Sequence, residues 1–130
     1  VEDMLKRSQD STRIASELIR LGDLYRRFEL NSETIAQYSL AGTFLNPITP
    51  DTLSIHLKNS VASVDVAMEN YDSAHELLEG ALLMADYAVY TRGKAVSLGL
   101  LGICAEKDGD YLSALNYQKR SLELYQTLGD

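Results

Sequence analysis

Apolar residues recur at helical rather than alternating spacing along the chain, as in Leu18, Leu21, Tyr25 and Phe28, and again in Leu98, Leu101 and Ala105. That period gathers each set on one stripe of a helix, whereas a half-buried strand would alternate. No stretch reads as a strand. Breakers divide the pattern at Asn46-Pro47 through Thr49-Pro50-Asp51, at Glu69-Asn70-Tyr71-Asp72, at Tyr90-Thr91-Arg92-Gly93 and at Lys107-Asp108-Gly109-Asp110-Tyr111. The segments between them predict six helices, over about 11–28, 32–45, 51–68, 72–90, 92–107 and 111–127. Thr49 or Asp51 can accept from the orphan N–H groups of a first turn, and Asp72 and Asp110 precede the later segments in the same manner.

Sliding the sequence against itself by 40 residues aligns three gapless blocks, starting at Ala15, Ile55 and Ala95. Their columns include Leu21/Val61/Leu101, Gly22/Ala62/Gly102, Leu24/Val64/Cys104, Tyr38/Leu78/Gln118 and Ala41/Ala81/Ser121. Large and small residues keep their places, as stacked helical hairpins require: large side chains fill the space between helices and small ones let backbones approach. The blocks predict repeats over 15–54, 55–94 and 95–130 within a single domain, 1–130. Continuing the period backwards sets residues 1–10 at the end of a preceding repeat, with Gln9-Asp10 opposite Gly129-Asp130.

In the last block Leu98, Leu101-Gly102, Gly109-Asp110-Tyr111, Ala114-Leu115, Tyr117 and Ser121-Leu122 resemble the tetratricopeptide repeat family. The first block keeps Leu18, Leu21-Gly22, Tyr25, Tyr38 and Ala41 without the turn signature; the middle one keeps Asn70-Tyr71, Ala74, Leu78 and Ala81. The period exceeds the ~34 residues of the family's basic form and falls within the ~40–47 of HEAT and armadillo arrays. The Leu-Gly and Gly-Asp-Tyr-to-Ala spacing favours a tetratricopeptide variant with extended helices over another helical-pair solenoid or a non-repeating bundle. The resemblance implies an all-α, right-handed α-α superhelix (solenoid) of three stacked hairpins, a fragment of a longer array.

It further implies a concave face lined by the first helix of each pair. The matching positions are Ser16, Arg20, Asp23 and Arg27, then His56, Ser60, Ser63 and Ala67, then Val96, Leu100, Ile103 and Lys107. Asn59 stands at one position comparable to the family's grip on a peptide carboxylate, but the full basic set is missing. Such a surface would hold a peptide or protein segment, as a non-catalytic module of a larger regulatory protein of bacterial type. The alternative is a ligand- or peptide-sensing domain controlling an attached transcription-regulator or nucleotide-cyclase output. Arg13, Arg20 and Arg27 lie seven residues apart on one stripe and suit acidic groups, whereas Val96, Leu100 and Ile103 form an apolar strip. The bland reading of Arg20 is a pair with Glu17 or Asp23 along its own helix.

Composition narrows the chemistry. Twelve Lys and Arg against 19 Asp and Glu give 12 − 19 = −7, which disfavours an affinity built on nucleic-acid phosphate. No apolar run approaches the ~18 residues of a membrane span, and a single cysteine makes no internal disulfide, so a cytoplasmic address is expected. No enzyme activity or cofactor is expected: glycine-rich phosphate loops and a nucleophile elbow are missing, and His75-Glu76 lacks a zinc-protease partner histidine. Asp108-Gly-Asp110 fits an interhelical turn better than a calcium loop. Cys104 shares its column with Leu24 and Val64 and reads as a small buried hydrophobe. Six acids and no Lys or Arg lie between Lys58 and Arg92, a solvated acidic face; among them Asp65 stands in an apolar column and needs an open site or a partner. Leu122, Tyr125 and Leu128 are expected to form an uncovered apolar edge, favouring self-association or cover by a larger parent protein.

Overall fold

The computed structural model describes residues 2–45 and 51–129, and among them every regular element is helical. The helices are α1 (Glu2–Arg27), α2 (Asn31–Thr43), α3 (Thr52–Ala67), α4 (Tyr71–Tyr87), α5 (Thr91–Lys107) and α6 (Tyr111–Thr127). Consecutive pairs α1–α2, α3–α4 and α5–α6 pack as hairpins, and α5 also lies against both α3 and α4. The chain divides into two compact units, Val1–Thr49 and Pro50–Asp130. The first holds the α1–α2 hairpin. The second holds two hairpins that share a core.

The 40-residue repeat is written into the backbone as well as the side chains. Glu29, Glu69 and Gly109 close the three hairpins with φ of 60°, 63° and 82°, while Val89 and Gly129 end α4 and α6 with φ of 54° and 83°. The residue after each turn then donates its N–H back to the preceding helix: Leu30 to Tyr25, Asn70 to Asp65, Tyr90 to Ala85 and Asp110 to Ala105, at 2.7–3.1 Å. A left-handed residue followed by this long backward bond satisfies carbonyls that a helix end leaves unpaired.

The close-approach column behaves as the pattern predicts. A Cβ on Gly22 would lie 2.5 Å from Tyr38 Cε1, and one on Gly102 would lie 2.5 Å from Gln118 Nε2. Between these two pairs in register, Ala62 and Leu78 are buried in one cluster with Ala74, Leu101 and Cys104. That cluster draws on α3, α4 and α5, so its burial holds two hairpins together rather than closing one.

Two expectations change. α1 begins at Glu2 and runs without interruption, so no turn forms at Gln9-Asp10; the segment contains neither Gly nor Pro, and Glu2 and Asp3 favour a helix N-terminus. Asp51 caps α3 by accepting from Ser54 N at 2.7 Å, and Asp110 caps α6 through Ser113 N at 3.2 Å. Asp72 is instead inside the first turn of α4, whose N-cap residue Asn70 makes no side-chain cap bond. Thr49, with Asn46, Pro47 and Pro50, lies outside the described residues.

Candidate binding surface

The first helices of the second unit meet through buried polar groups. Asn59 Nδ2 on α3 donates to Gly93 O on α5 at 3.1 Å, while Ser97 Oγ lies 2.7 Å from Asn59 Oδ1 and 3.0 Å from Gly93 O. Gly93 permits this approach, since a Cβ there would come within 2.9 Å of Ile55 Cγ2. Asn59 and Ser60 are therefore buried, and neither is part of the accessible face on which the sequence places them. Asn59 is committed to joining α3 and α5. Ser97, its partner, escapes a reading by columns because positions 59 and 97 are not related by the 40-residue shift.

Around this junction the residues expected to line the surface differ in exposure. His56 is exposed and Ser63 half-buried on α3. Val96, Leu100 and Ile103 are half-buried on α5, and with Gln118 and Tyr125 of α6 they line an open groove of about 340 Å³. Its geometry is held from below, with Gln118 Nε2 donating to Gly99 O at 3.0 Å and Ser121 Oγ to Ala95 O at 2.8 Å. Lys107 does not join that groove. It lines a separate cleft of about 480 Å³ between α4 and the α5–α6 turn, together with Tyr71, Asp72, His75, Asp108 and Asp110. Asp110 is held below the usual carboxylate range by hydrogen bonds from Ser113.

On α1, Ser16 is half-buried, and Arg13, Arg20 and Arg27 are exposed. Arg20 Nη1 lies 3.5 Å from Glu17 Oε1, the pairing along one helix that the spacing allows, and such exposed pairs contribute roughly 0.2–0.5 kcal/mol. Asp23 faces inward by comparison: it accepts from the Tyr38 hydroxyl of α2 and lies 3.7 Å from Arg26. Its carboxylate is engaged inside the α1–α2 hairpin.

The remaining chemistry-bearing residues fit structural roles. Cys104 is buried, and burial pushes its thiol up, which disfavours the nucleophilic thiolate. Asp65 resolves its position in an apolar column by accepting from Ser73 Oγ at 2.7 Å. His75 Nε2 lies 3.7 Å from Glu79 Oε1 on the exposed side of α4. Among the described residues no three His, Cys, Asp or Glu side chains converge as a metal site, and no helix is long and apolar enough to cross a membrane.

A family model described as tetratricopeptide repeat matches residues 51–127. No curated protein and no solved structure matches the chain.

Proposed function

Because the chain belongs to the tetratricopeptide repeat family, a non-catalytic scaffold whose repeats generally mediate protein–protein interaction, we propose that it holds a peptide or protein segment on the face formed by α3 and α5. The observation that carries this reading is the open groove beside Val96, Leu100 and Ile103, continued along the same helix layer by His56 and Ser63. An amphipathic segment with apolar residues at helical spacing suits a strip of this kind. An open groove favours such a segment over a small signalling molecule, which binds best in an enclosed pocket with converging polar groups. The exposed Arg20 and Arg27 of α1 are proposed as a separate contact for acidic groups, and the module as part of a larger regulatory polypeptide of bacterial type.

Selection of peptides from a displayed random library on the 130-residue chain, followed by calorimetric titration, tests this assignment. Val96→Glu and Ile103→Glu are expected to weaken the selected peptides by at least about ten-fold, close to 1.4 kcal/mol, with helicity retained. Leu83→Glu, on the exposed side of α4, should leave binding unchanged. Unchanged affinity in both groove variants overturns the assignment, and unchanged affinity of an acidic peptide in Arg20→Glu/Arg27→Glu removes the arginine contact.

A further inference from the structure

Within the unit Pro50–Asp130, α4 closes a hairpin that already has another stacked on it, so what α4 still exposes is left open by the stacking itself. Its buried residues, Ala74, Leu78, Ala81 and Ala85, share the face turned to α3 and α5. α6, its counterpart one repeat on, approaches the preceding hairpin with Ser113 and Tyr117, which line the cleft beside Tyr71. The same positions on α4 are Ser73 and Leu77. Asp72, Glu76, Glu79, Leu83 and Tyr87 belong to neither face, and all five are exposed. At about 100° per residue they form one stripe about 80° wide, opposite the buried face. A hairpin stacked in this register on either side leaves that stripe open.

The stripe joins apolar and acidic side chains. Leu83 and Tyr87, one helical turn apart, are 72% and 82% exposed. Shifted by 40 residues, Leu83 becomes Thr43 or Glu123 and Tyr87 becomes Pro47 or Thr127, so the repeat itself does not call for large apolar side chains there. α4 carries the acids Asp72, Glu76, Glu79 and Asp86 and no Lys or Arg, whereas α6 carries Lys119 and Arg120 against Glu123. Asp86 is spent on Lys94 of α5 at 2.6 Å, and Glu79 lies 3.7 Å from His75. Toward the start of α4 the acidic surface continues into the cleft of about 480 Å³, which Glu69, Asp72, Asp108 and Asp110 line together with one ammonium, Lys107, and the rings of Tyr71 and Tyr117. An apolar pair exposed within an acidic surround marks a protein contact, and the sign of the surround repels nucleic-acid phosphate and anionic lipid headgroups.

We propose that the outer stripe of α4 docks a basic amphipathic helix of a partner protein. Apolar residues of that helix seat on Leu83 and Tyr87, whose spacing of four matches one turn of a helix laid alongside. Its Lys or Arg side chains face Asp72, Glu76 and Glu79. A cation at the end nearest Asp72 enters the cleft, where carboxylates and tyrosine faces both favour it. The two apolar residues supply burial, while opposite charge speeds encounter and sets the register. This contact is independent of the groove beside Val96 and Ile103, which is lined by α5 and α6.

Calorimetric titration of the 130-residue chain with a synthetic helix of about 18 residues tests this, its leucines at i, i+3 and i+4 spacing and its remaining positions lysine. Binding is expected, weakening as salt rises from about 50 to 200 mM. The same peptide with glutamate in place of every lysine should not bind. Leu83→Ser/Tyr87→Ser, which removes the apolar pair, and Glu76→Lys/Glu79→Lys, which reverses the charge, should each weaken the lysine peptide at least about ten-fold, with helicity retained by circular dichroism. Leu83→Lys serves the first arm if the double variant loses helicity. Val96→Glu should bind the lysine peptide like the unmodified chain, which separates this contact from the groove. No binding, equal affinity for the glutamate peptide, full affinity in the α4 variants, or a loss confined to Val96→Glu overturns the proposal.

Discussion

Val89 sits in the left-handed region at φ 54° with its side chain exposed, so the conformation brings a β-branched residue steric cost without compensating burial. The same turn position after α6 is occupied by Gly129. Replacing Val89 with Gly removes a strain of about 1–2 kcal/mol and adds about 0.5–1 kcal/mol of unfolded-state entropy. The expected net effect is a stabilisation of about 0.5–1 kcal/mol, read as a higher urea midpoint at unchanged slope. This feature is illegible in the sequence at Glu29, Glu69 and Val89, whose side chains carry no preference for positive φ. Only the glycines, Gly109 and Gly129, announce it. The turn geometry is imposed by the helices on either side, and the residue accepts it.

At the scale of the helices, two glycines that look alike in sequence should respond oppositely. Gly22 lies beneath Tyr38, where a Cβ would overlap the ring, whereas Gly80 in the interior of α4 has nothing within 4 Å of the same atom. Gly22→Ala should cost about 1–2 kcal/mol, overpacking of about 1–3 kcal/mol outweighing a helix-propensity gain of up to ~1. Gly80→Ala should stabilise by about 0.5–1 kcal/mol, because only the propensity gain remains. Thermal unfolding followed by circular dichroism reads both signs. The columns already single out Gly22 and Gly102 through their fixed offset, so this much of the packing was legible. The start of α1 was not, since a helix that continues through polar residues shows neither a break nor an apolar stripe.

At the scale of the molecule, the Asn59–Ser97 contact is a buried polar link between successive hairpins of the second unit. Asn59→Ala removes both hydrogen bonds across the junction while Ser97 Oγ keeps Gly93 O as a partner within α5, and should cost about 1 kcal/mol. A double-mutant cycle with Ser97→Ala should return a coupling of about 1 kcal/mol, whereas strictly additive losses would show that the two side chains act independently. Asn59 drew notice in the sequence for a ligand role and serves instead between helices. A polar residue on the first helix of a pair can face a ligand or the next hairpin, and only a few tens of degrees around the helix separate the two.

The sequence by itself determined the helical class, the hairpin as the unit and the 40-residue register, because periodicity and the alternation of large and small residues are properties of a single chain read along its length. Tertiary structure decided which members of a column are covered. Leu21 and Leu101 are the same residue at the same repeat position, yet one is open and the other buried, because burial depends on whether a neighbouring hairpin lies against that face.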